Sequence, residues 1–126
     1  MPIHESGEDY LESILMLRER KGLVRSIDIA GQLEFSKASV SVAMKKLRES
    51  GYITVDAEGF ITLTPSGEEI AASIYARHKA LTKFFIALGV NAETAAADAC
   101  KVEHDLSEET YEKLVQFAQA HAAEIE

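Results

Sequence analysis

The chain has 126 residues, of which 47% are hydrophobic, and a formal net charge of −8 at pH 7. This length and composition allow one globular domain, or two small units that share a core. The single cysteine excludes an internal disulfide, and no apolar run approaches the roughly 20 residues of a membrane-spanning helix. The start of the chain is polar and does not resemble a signal sequence, so we expect a cytoplasmic protein.

The first predicted helix carries two carboxylates on one face. Asp9 and Glu12 stand three residues apart, and residues at this spacing are neighbours on a helix surface. Such a pair is usually part of a solvated face, but it can also supply metal ligands. The apolar positions that flank the pair are Leu11, Ile14, Leu15 and Leu17.

Basic side chains are concentrated between residues 20 and 50. This segment carries seven basic and three acidic residues, whereas residues 51–126 carry five basic and thirteen acidic ones. A local basic patch matters more for contact with phosphates than the total charge does, so the segment favours nucleic-acid binding in an acidic chain. A solvated basic helix face is the alternative interpretation. The basic residues are Arg20, Lys21, Arg25, Lys37, Lys45, Lys46 and Arg48.

The same segment has the pattern of a helix-turn-helix. Ser26 is predicted to cap a short helix from Ile27 to Leu33, and Ser36 to cap a second helix from Lys37 to Glu49. The second helix has apolar residues at spacings of three and four, small polar residues near its start and basic ones further along. This pattern suits a recognition helix that enters the major groove with its first turns. The predicted DNA contacts are Arg25, Ser36, Lys37, Ala38, Ser39, Ser41, Lys45, Lys46 and Arg48.

Two β-rich runs follow the predicted recognition helix. Residues 52–55 and residues 60–63 flank a four-residue loop that contains Gly59, which is typical of a hairpin. A hairpin in this place is the wing of a winged helix. The loop is acidic, so we expect it to contribute little to phosphate binding.

A long helix is predicted after the hairpin. Thr64 is a suitable capping residue, and Pro65 fits the first helical position. The apolar stripe of this helix, within Glu68–Leu88, includes His78. A histidine on such a stripe is more often a satisfied core residue than a ligand.

Two further helices are predicted near the end of the chain. Asn91 and Ser107 are expected to cap helices of residues 92–105 and 108–123. The apolar residues of the last helix are expected to contribute to a dimer interface, with ordinary core packing as the alternative. They are Leu114, Val115, Phe117, Ala118 and Ala122.

Three candidate metal ligands lie close together in the sequence, at Cys100, Glu103 and His104. On a helix these residues share one face, so a thiolate, a carboxylate and an imidazole converge. A buried Glu103 carries a heavy desolvation cost, which a divalent metal can compensate. The alternative is a small buried cysteine with the other two side chains at the solvated edge of the helix. With His78 and the two carboxylates of the first helix, the donors suffice for one first-row metal site or two.

Several motifs resemble the diphtheria-toxin-repressor family of metal-dependent transcriptional regulators, over nearly the whole chain. The resemblance implies a mainly α protein, with a winged helix-turn-helix DNA-binding domain at residues 1–64 and a helical dimerisation and metal-binding domain at residues 65–126. It implies a homodimeric repressor, rather than an enzyme, that binds a palindromic operator when metal is bound. The motifs are Ile27-Asp28-Ile29-Ala30, Leu63-Thr64-Pro65-Ser66-Gly67, Arg77-His78 and the run from Cys100 to Ser107.

The resemblance also implies a metal-ligand set of mixed type. The manganese-regulator branch has a glutamate where this chain has Cys100, while the iron-regulator branch has a cysteine there. Thr82 and Ala96 stand where the iron branch has an ancillary Glu and His, and an end at residue 126 resembles the short manganese branch. Hard carboxylates favour Mn²⁺ and Fe²⁺, and a thiolate shifts the preference toward Fe²⁺, Co²⁺ or Zn²⁺, so Mn²⁺ and Fe²⁺ are both candidates. The residues that correspond to ligands of the manganese branch are Asp9, Glu12, His78, Glu103 and His104.

Two other functions are left open by the residues alone. The first is a winged-helix regulator that senses a small ligand or an oxidant through Cys100, and its DNA binding would be indifferent to chelators. The second is a metalloenzyme that uses the site to activate water. The sequence has no H-E-x-x-H motif and no Gly-rich phosphate loop, which argues against the enzyme.

Overall fold

The computed structural model describes residues 5–121, and these residues form helices and one two-stranded sheet. The chain divides into two compact units, Met1–Ser73 and Ile74–Glu126. The predicted mainly α architecture, with a winged helix at its start, is confirmed. No helix in the described part of the chain is both long and apolar enough to cross a membrane. The elements are α1 (Glu5–Lys21), α2 (Ser26–Leu33), α3 (Lys37–Glu49), β1 (Ile53–Val55), β2 (Ile61–Leu63), α4 (Pro65–Ala87), α5 (Ala92–Val102) and α6 (Glu108–Ala120).

Aliphatic side chains from α1, α2, α3 and β1 form the core of the first unit. Burying one such side chain stabilises a fold by about 1.5–3 kcal/mol. Because α3 turns its apolar side inward, its opposite side is left in solvent. Val24, in the connection between α1 and α2, is buried with them. The most completely buried residues of the four elements are Leu11, Ile14, Ile29, Val40 and Ile53.

The start of α2 differs from the prediction. Arg25 is the N-cap, and Ser26 is the first helical residue rather than the cap. The Asp28 carboxylate accepts a hydrogen bond from the backbone N–H of Arg25 at 2.9 Å, so the acidic residue at the third helical position supports the helix start. Lys21 also donates to Asp28 at 2.7 Å, and this hydrogen bond contributes most to lowering the pKa of Asp28.

The bounds of α3 are as predicted. The Ser36 hydroxyl oxygen accepts a hydrogen bond from the Ser39 N–H at 3.1 Å, which satisfies one of the free donors of the first turn. After the last turn, Gly51 adopts a φ of +84°, a conformation that favours glycine. The Tyr52 N–H then bonds back to the Leu47 carbonyl at 3.0 Å, which closes the helix end.

The hairpin and the start of α4 are also confirmed. The strands β1 and β2 are antiparallel, with Thr54 opposite Thr62. The Thr64 hydroxyl accepts a hydrogen bond from the Gly67 N–H at 3.3 Å and donates one to the Gly51 carbonyl at 2.7 Å. The residue that caps α4 is therefore also bonded to the end of α3, which fixes the wing beside the recognition helix.

In the second unit, the two predicted caps are correct but one helix end is not. The Asn91 side chain accepts from Glu93, and the Ser107 side chain accepts from Thr110. However, α5 ends at Val102 instead of residue 105.

The last predicted helix is present, and its side chains are only partly covered. No residue of α6 is fully buried, and Phe117 is 54% exposed. The predicted end at residue 123 and the proposed interface residue Ala122 lie outside the described residues.

At the end of the predicted stripe on α4, Leu88 is 67% exposed, so this residue does not belong to the core of the described structure.

Candidate metal centre and nucleic-acid interface

Glu103 is a buried carboxylate between two imidazoles. Its Oε2 atom lies 3.0 Å from His78 Nδ1, and its Oε1 atom lies 3.5 Å from His104 Nε2. The Glu103 side chain is fully buried, and its Oε1 atom makes no hydrogen bond within residues 5–121. A buried carboxylate with an unsatisfied oxygen is costly unless a cation compensates it. These donors therefore fit a divalent metal.

The turn after α5 carries two of these three side chains. Glu103 is the C-cap of α5 and keeps helical dihedral angles, with φ −57° and ψ −28°. Its backbone N–H still donates to Ala99 at 2.9 Å, so the spacing expected for a helix holds as far as Glu103. His104 lies in the following turn instead of in the predicted helix.

Cys100 lies within α5 and is exposed. The alternative of a small cysteine buried in the core is therefore wrong. An exposed thiol can be deprotonated and can bind a soft metal without first leaving a packed interior.

The two predicted carboxylates of α1 differ in burial. Asp9 is half-buried, and Glu12 is only 5% exposed, although such a pair is usually solvated. At the other end of the helix, Arg18 donates two hydrogen bonds to Glu68, at 2.6 and 2.7 Å, and so joins α1 to the first turn of α4. This hydrogen-bonded pair also lowers the pKa of Glu68. In the first unit, the buried Glu12 carboxylate therefore lies on a helix whose other end is bonded to α4 through Arg18.

The predicted DNA contacts lie on the exposed side of the first unit. The Arg25 guanidinium stacks over the Phe60 ring, 4.3 Å from its centroid, so the start of α2 is in contact with the wing. Val42 was not among the predicted contacts, yet it is 56% exposed on α3. Its place four residues after Ala38 is the signal that could have found it. The predicted residues found exposed are Arg25, Ser36, Lys37, Ala38, Ser39, Ser41, Lys45, Lys46 and Arg48.

Comparison with known proteins identifies both halves of the chain. Residues 3–59 match the model of the N-terminal DNA-binding domain of iron-dependent repressors, and residues 64–122 match the model of their metal-binding and dimerisation domain. The transcriptional regulator MntR of Salmonella typhimurium is 34% identical over 119 residues, which cover 94% of this chain and 76% of that protein. The chain belongs to the iron-dependent repressor family.

Other members of the iron-dependent repressor family agree with this assignment. The regulator MntR of Geobacillus thermodenitrificans is 36% identical over 124 residues, which cover 96% of this chain and 88% of that protein. The structure of the manganese regulator SloR superposes with a TM-score of 0.79 at 29% identity, over 94% of this chain. The chain spans 55% of the SloR chain, about half of its length.

Membership of the iron-dependent repressor family makes this chain a metal-dependent transcriptional regulator. The order of domains, DNA-binding first and metal-binding second, is as predicted from the sequence. The family consists of regulators, so the metalloenzyme interpretation is set aside.

Proposed function

We propose that this chain is a homodimeric repressor that binds a palindromic operator when it is loaded with Mn²⁺ or Fe²⁺, and so controls the supply of that metal. The observation that carries the proposal is the buried Glu103 carboxylate, with His78 at 3.0 Å and His104 at 3.5 Å. In this proposal residues 1–64 bind DNA, and residues 65–126 bind metal and form the dimer.

We propose six metal ligands. A bound dication supplies the positive charge that the buried carboxylates lack. Without it, carboxylates that share one metal site would repel one another, because like charges at short range are unfavourable in a poorly solvated site. The proposed ligands are Asp9, Glu12, His78, Cys100, Glu103 and His104.

The proposed ligands come from both units of the chain, and this provides a regulatory mechanism. Asp9 and Glu12 belong to α1 in the first unit, and the other four belong to the second unit. A metal held by both sets would restrain α1, which packs within the DNA-binding unit. A coupling of about 1–3 kcal/mol is enough to change DNA affinity roughly 5- to 150-fold.

The chemistry of the donors supports two candidate metals, Mn²⁺ and Fe²⁺. Carboxylates and imidazoles suit Mn²⁺ and Fe²⁺, and a thiolate from Cys100 favours Fe²⁺ or Co²⁺. Among the relatives, SloR is described as a manganese regulator, while the matching family models are described as iron-dependent. We therefore propose that the bound metal is Mn²⁺ or Fe²⁺.

A dimer suits the proposed operator. Two recognition helices separated by about one DNA turn, roughly 34 Å, can read a palindrome. Lys37 and Ser39 lie in the first turn of α3 and are proposed to read bases. Lys45, Lys46 and Arg48 lie further along α3 and are proposed to bind phosphates.

Direct measurement of metal binding tests the ligand set. Protein purified without oxygen is titrated calorimetrically with Mn²⁺ and with Co²⁺. We expect Glu12→Gln, His78→Gln and Glu103→Gln each to weaken binding by about tenfold or more, which corresponds to ~1.4 kcal/mol. Glu19→Gln, which changes an exposed carboxylate of α1, is the control and should bind like the wild type. Wild-type affinity in all three ligand variants would contradict the proposal.

A further inference from the structure

Arg77 is a buried arginine that contacts the segment after α5 at several points. It is 9% exposed, and its Nη1 atom donates to the carbonyl oxygens of Glu103 at 3.2 Å and Leu106 at 2.8 Å. Its Nη2 atom donates to the Glu108 carboxylate at 2.8 Å. The guanidinium also lies over the Tyr111 ring, 4.8 Å from the centroid. One side chain of α4 thus joins the turn after α5 to the first turns of α6.

The chemistry of arginine explains why this residue can hold the turn. Residues 104–106 lie between Glu103, the C-cap of α5, and Ser107, the N-cap of α6, so neither helix determines their conformation. A guanidinium has five N–H donors in a rigid plane and can bind two carbonyls and a carboxylate at once. A lysine ammonium is a compact point charge on a flexible stem, and it cannot reproduce this geometry.

We call the hydrogen bonds from Arg77 to Glu103, Leu106 and Glu108 the Arg77 clamp. The position of Arg77 in the sequence relates this clamp to the proposed metal centre. His78 is the next residue of α4, so the same helix turn supplies the clamp and one proposed ligand. Glu103 and His104, two other proposed ligands, lie at the start of the clamped turn. We propose that Arg77 is a positioning residue for the metal centre, which fixes the turn so that Glu103 and His104 face His78. This inference rests on the proposed function.

The contacts of Arg77 differ in importance. The Glu108 side chain is 69% exposed, so its ion pair with Arg77 is screened by solvent and contributes little. The two carbonyl acceptors belong to the turn itself, and the bond to the Glu103 carbonyl is buried. The positioning effect therefore depends on the bonds to the carbonyls, and Glu108→Gln, which preserves them, is a matched control.

The test compares Arg77→Lys and Arg77→Met with Glu108→Gln in the full chain. We measure Mn²⁺ and Co²⁺ affinity by calorimetry, and hydrogen exchange of the amides of residues 103–107 in metal-free protein. We expect Arg77→Lys to bind Mn²⁺ about 10- to 100-fold more weakly, as is typical when an outer-shell partner of a metal site is removed. Exchange in the turn should become faster, while Glu108→Gln should remain within about twofold of the wild type.

The outcomes separate this inference from the proposed function. If Arg77→Lys folds and binds Mn²⁺ with wild-type affinity, the positioning role of Arg77 is overturned. The proposed ligand set still stands in that case if Glu103→Gln binds Mn²⁺ more weakly than the wild type. If Glu103→Gln also binds Mn²⁺ with wild-type affinity, both the role of Arg77 and the proposed ligand set are overturned. Should neither Arg77 variant fold, hydrogen exchange of the metal-free wild type decides the question, because a turn held by Arg77 keeps the bond from the Asp105 N–H to the Val102 carbonyl. Exchange of the residue 105 amide well below the rate of an unstructured peptide would support the inference, and exchange at that rate would overturn it.

Discussion

The Nδ1 atom of His78 lies 3.0 Å from Oε2 of Glu103, although 25 residues separate them in the sequence. One residue belongs to the middle of α4, and the other follows the end of α5. Their approach places an imidazole against a carboxylate that is closed off from solvent. This pair is the centre around which the proposed metal ligands of the second unit are arranged.

The first prediction concerns metal selectivity. A glutamate at position 100 would add two hard oxygens, whereas the single sulfur of Cys100 is softer and binds at a longer distance. We expect Cys100→Glu to raise the response to Mn²⁺ relative to Fe²⁺ or Co²⁺, and Cys100→Ser to weaken the softer metals most. Activation of DNA binding by each metal, measured without oxygen, tests this. An identical order of metals in all three proteins would exclude Cys100 from the site.

The second prediction separates base reading from phosphate binding on α3. We expect Lys37→Ala with Ser39→Ala to change the preferred DNA sequence. Replacing Lys45 and Lys46 by alanine should instead weaken all sequences alike, and should lower the salt slope by about 0.9 for each phosphate that the protein no longer neutralises. Selection from random DNA and salt titrations measure the two effects. Lys83→Ala, an exposed change on α4, is the control.

If the Lys37 and Ser39 double variant keeps both affinity and site preference, the assignment of the recognition surface is wrong. Circular dichroism must accompany this result, because the Ser39 hydroxyl accepts a hydrogen bond at 2.9 Å from Ser36, the cap of α3, and alanine removes it. The bond from the Ser39 backbone N–H to the Ser36 hydroxyl oxygen does not depend on the Ser39 side chain, so alanine preserves that part of the cap.

The third prediction concerns the close approach of α4 to the wing. A Cβ atom at Gly67 would overlap the backbone carbonyl oxygen of Tyr52, which cannot move as a flexible side chain can. We expect Gly67→Ala to lower the free energy of unfolding by about 1–3 kcal/mol. Gly31→Ala is a matched control, since a Cβ there meets open space within α2 and should stabilise by about 0.5–1 kcal/mol. Urea denaturation measures both, and equal stability of the two variants would contradict the packing described.

The fourth prediction concerns the pH dependence of the ion pair between Arg18 and Glu68. The hydrogen bond from Arg18 lowers the pKa of Glu68 below its ordinary value of 4.5 in the folded protein. The pair therefore stabilises the fold above the ordinary pKa, and this contribution disappears as the pH falls through the lowered value. Both side chains are about 40% exposed, so the contribution stays below about 1 kcal/mol.

Thermal unfolding of the wild type and Glu68→Gln at a series of pH values tests the fourth prediction. The wild type should be slightly more stable near neutral pH, and the difference should shrink in acid. A difference that grows as the pH falls would have the wrong sign.

Local chemistry made much of the fold predictable. Capping side chains at Ser36, Asn91 and Ser107 mark helix starts because each bonds to a backbone amide two or three residues away. The same reasoning failed at Ser26, because the Asp28 carboxylate supports the start of α2 from inside the helix.

Features that depend on tertiary packing could not be predicted from the sequence. The helical pattern around Cys100 gives no sign that α5 ends before His104, in a turn held by Arg77. The exposure of Cys100 and the burial of Glu12 depend on neighbours far away in the chain, which spacing along one helix does not reveal. For that reason the sequence could nominate residues for the candidate metal centre but could not predict how far each of them is buried.

Metal-dependent DNA binding is the central claim, and fluorescence anisotropy with a labelled operator selected from random DNA measures it directly. We predict that excess chelator lowers the affinity of the purified protein roughly 5- to 150-fold, and that added Mn²⁺ or Fe²⁺ restores it in the absence of oxygen. Equal affinity with and without chelator would contradict the claim, and would favour a regulator that senses its signal through Cys100.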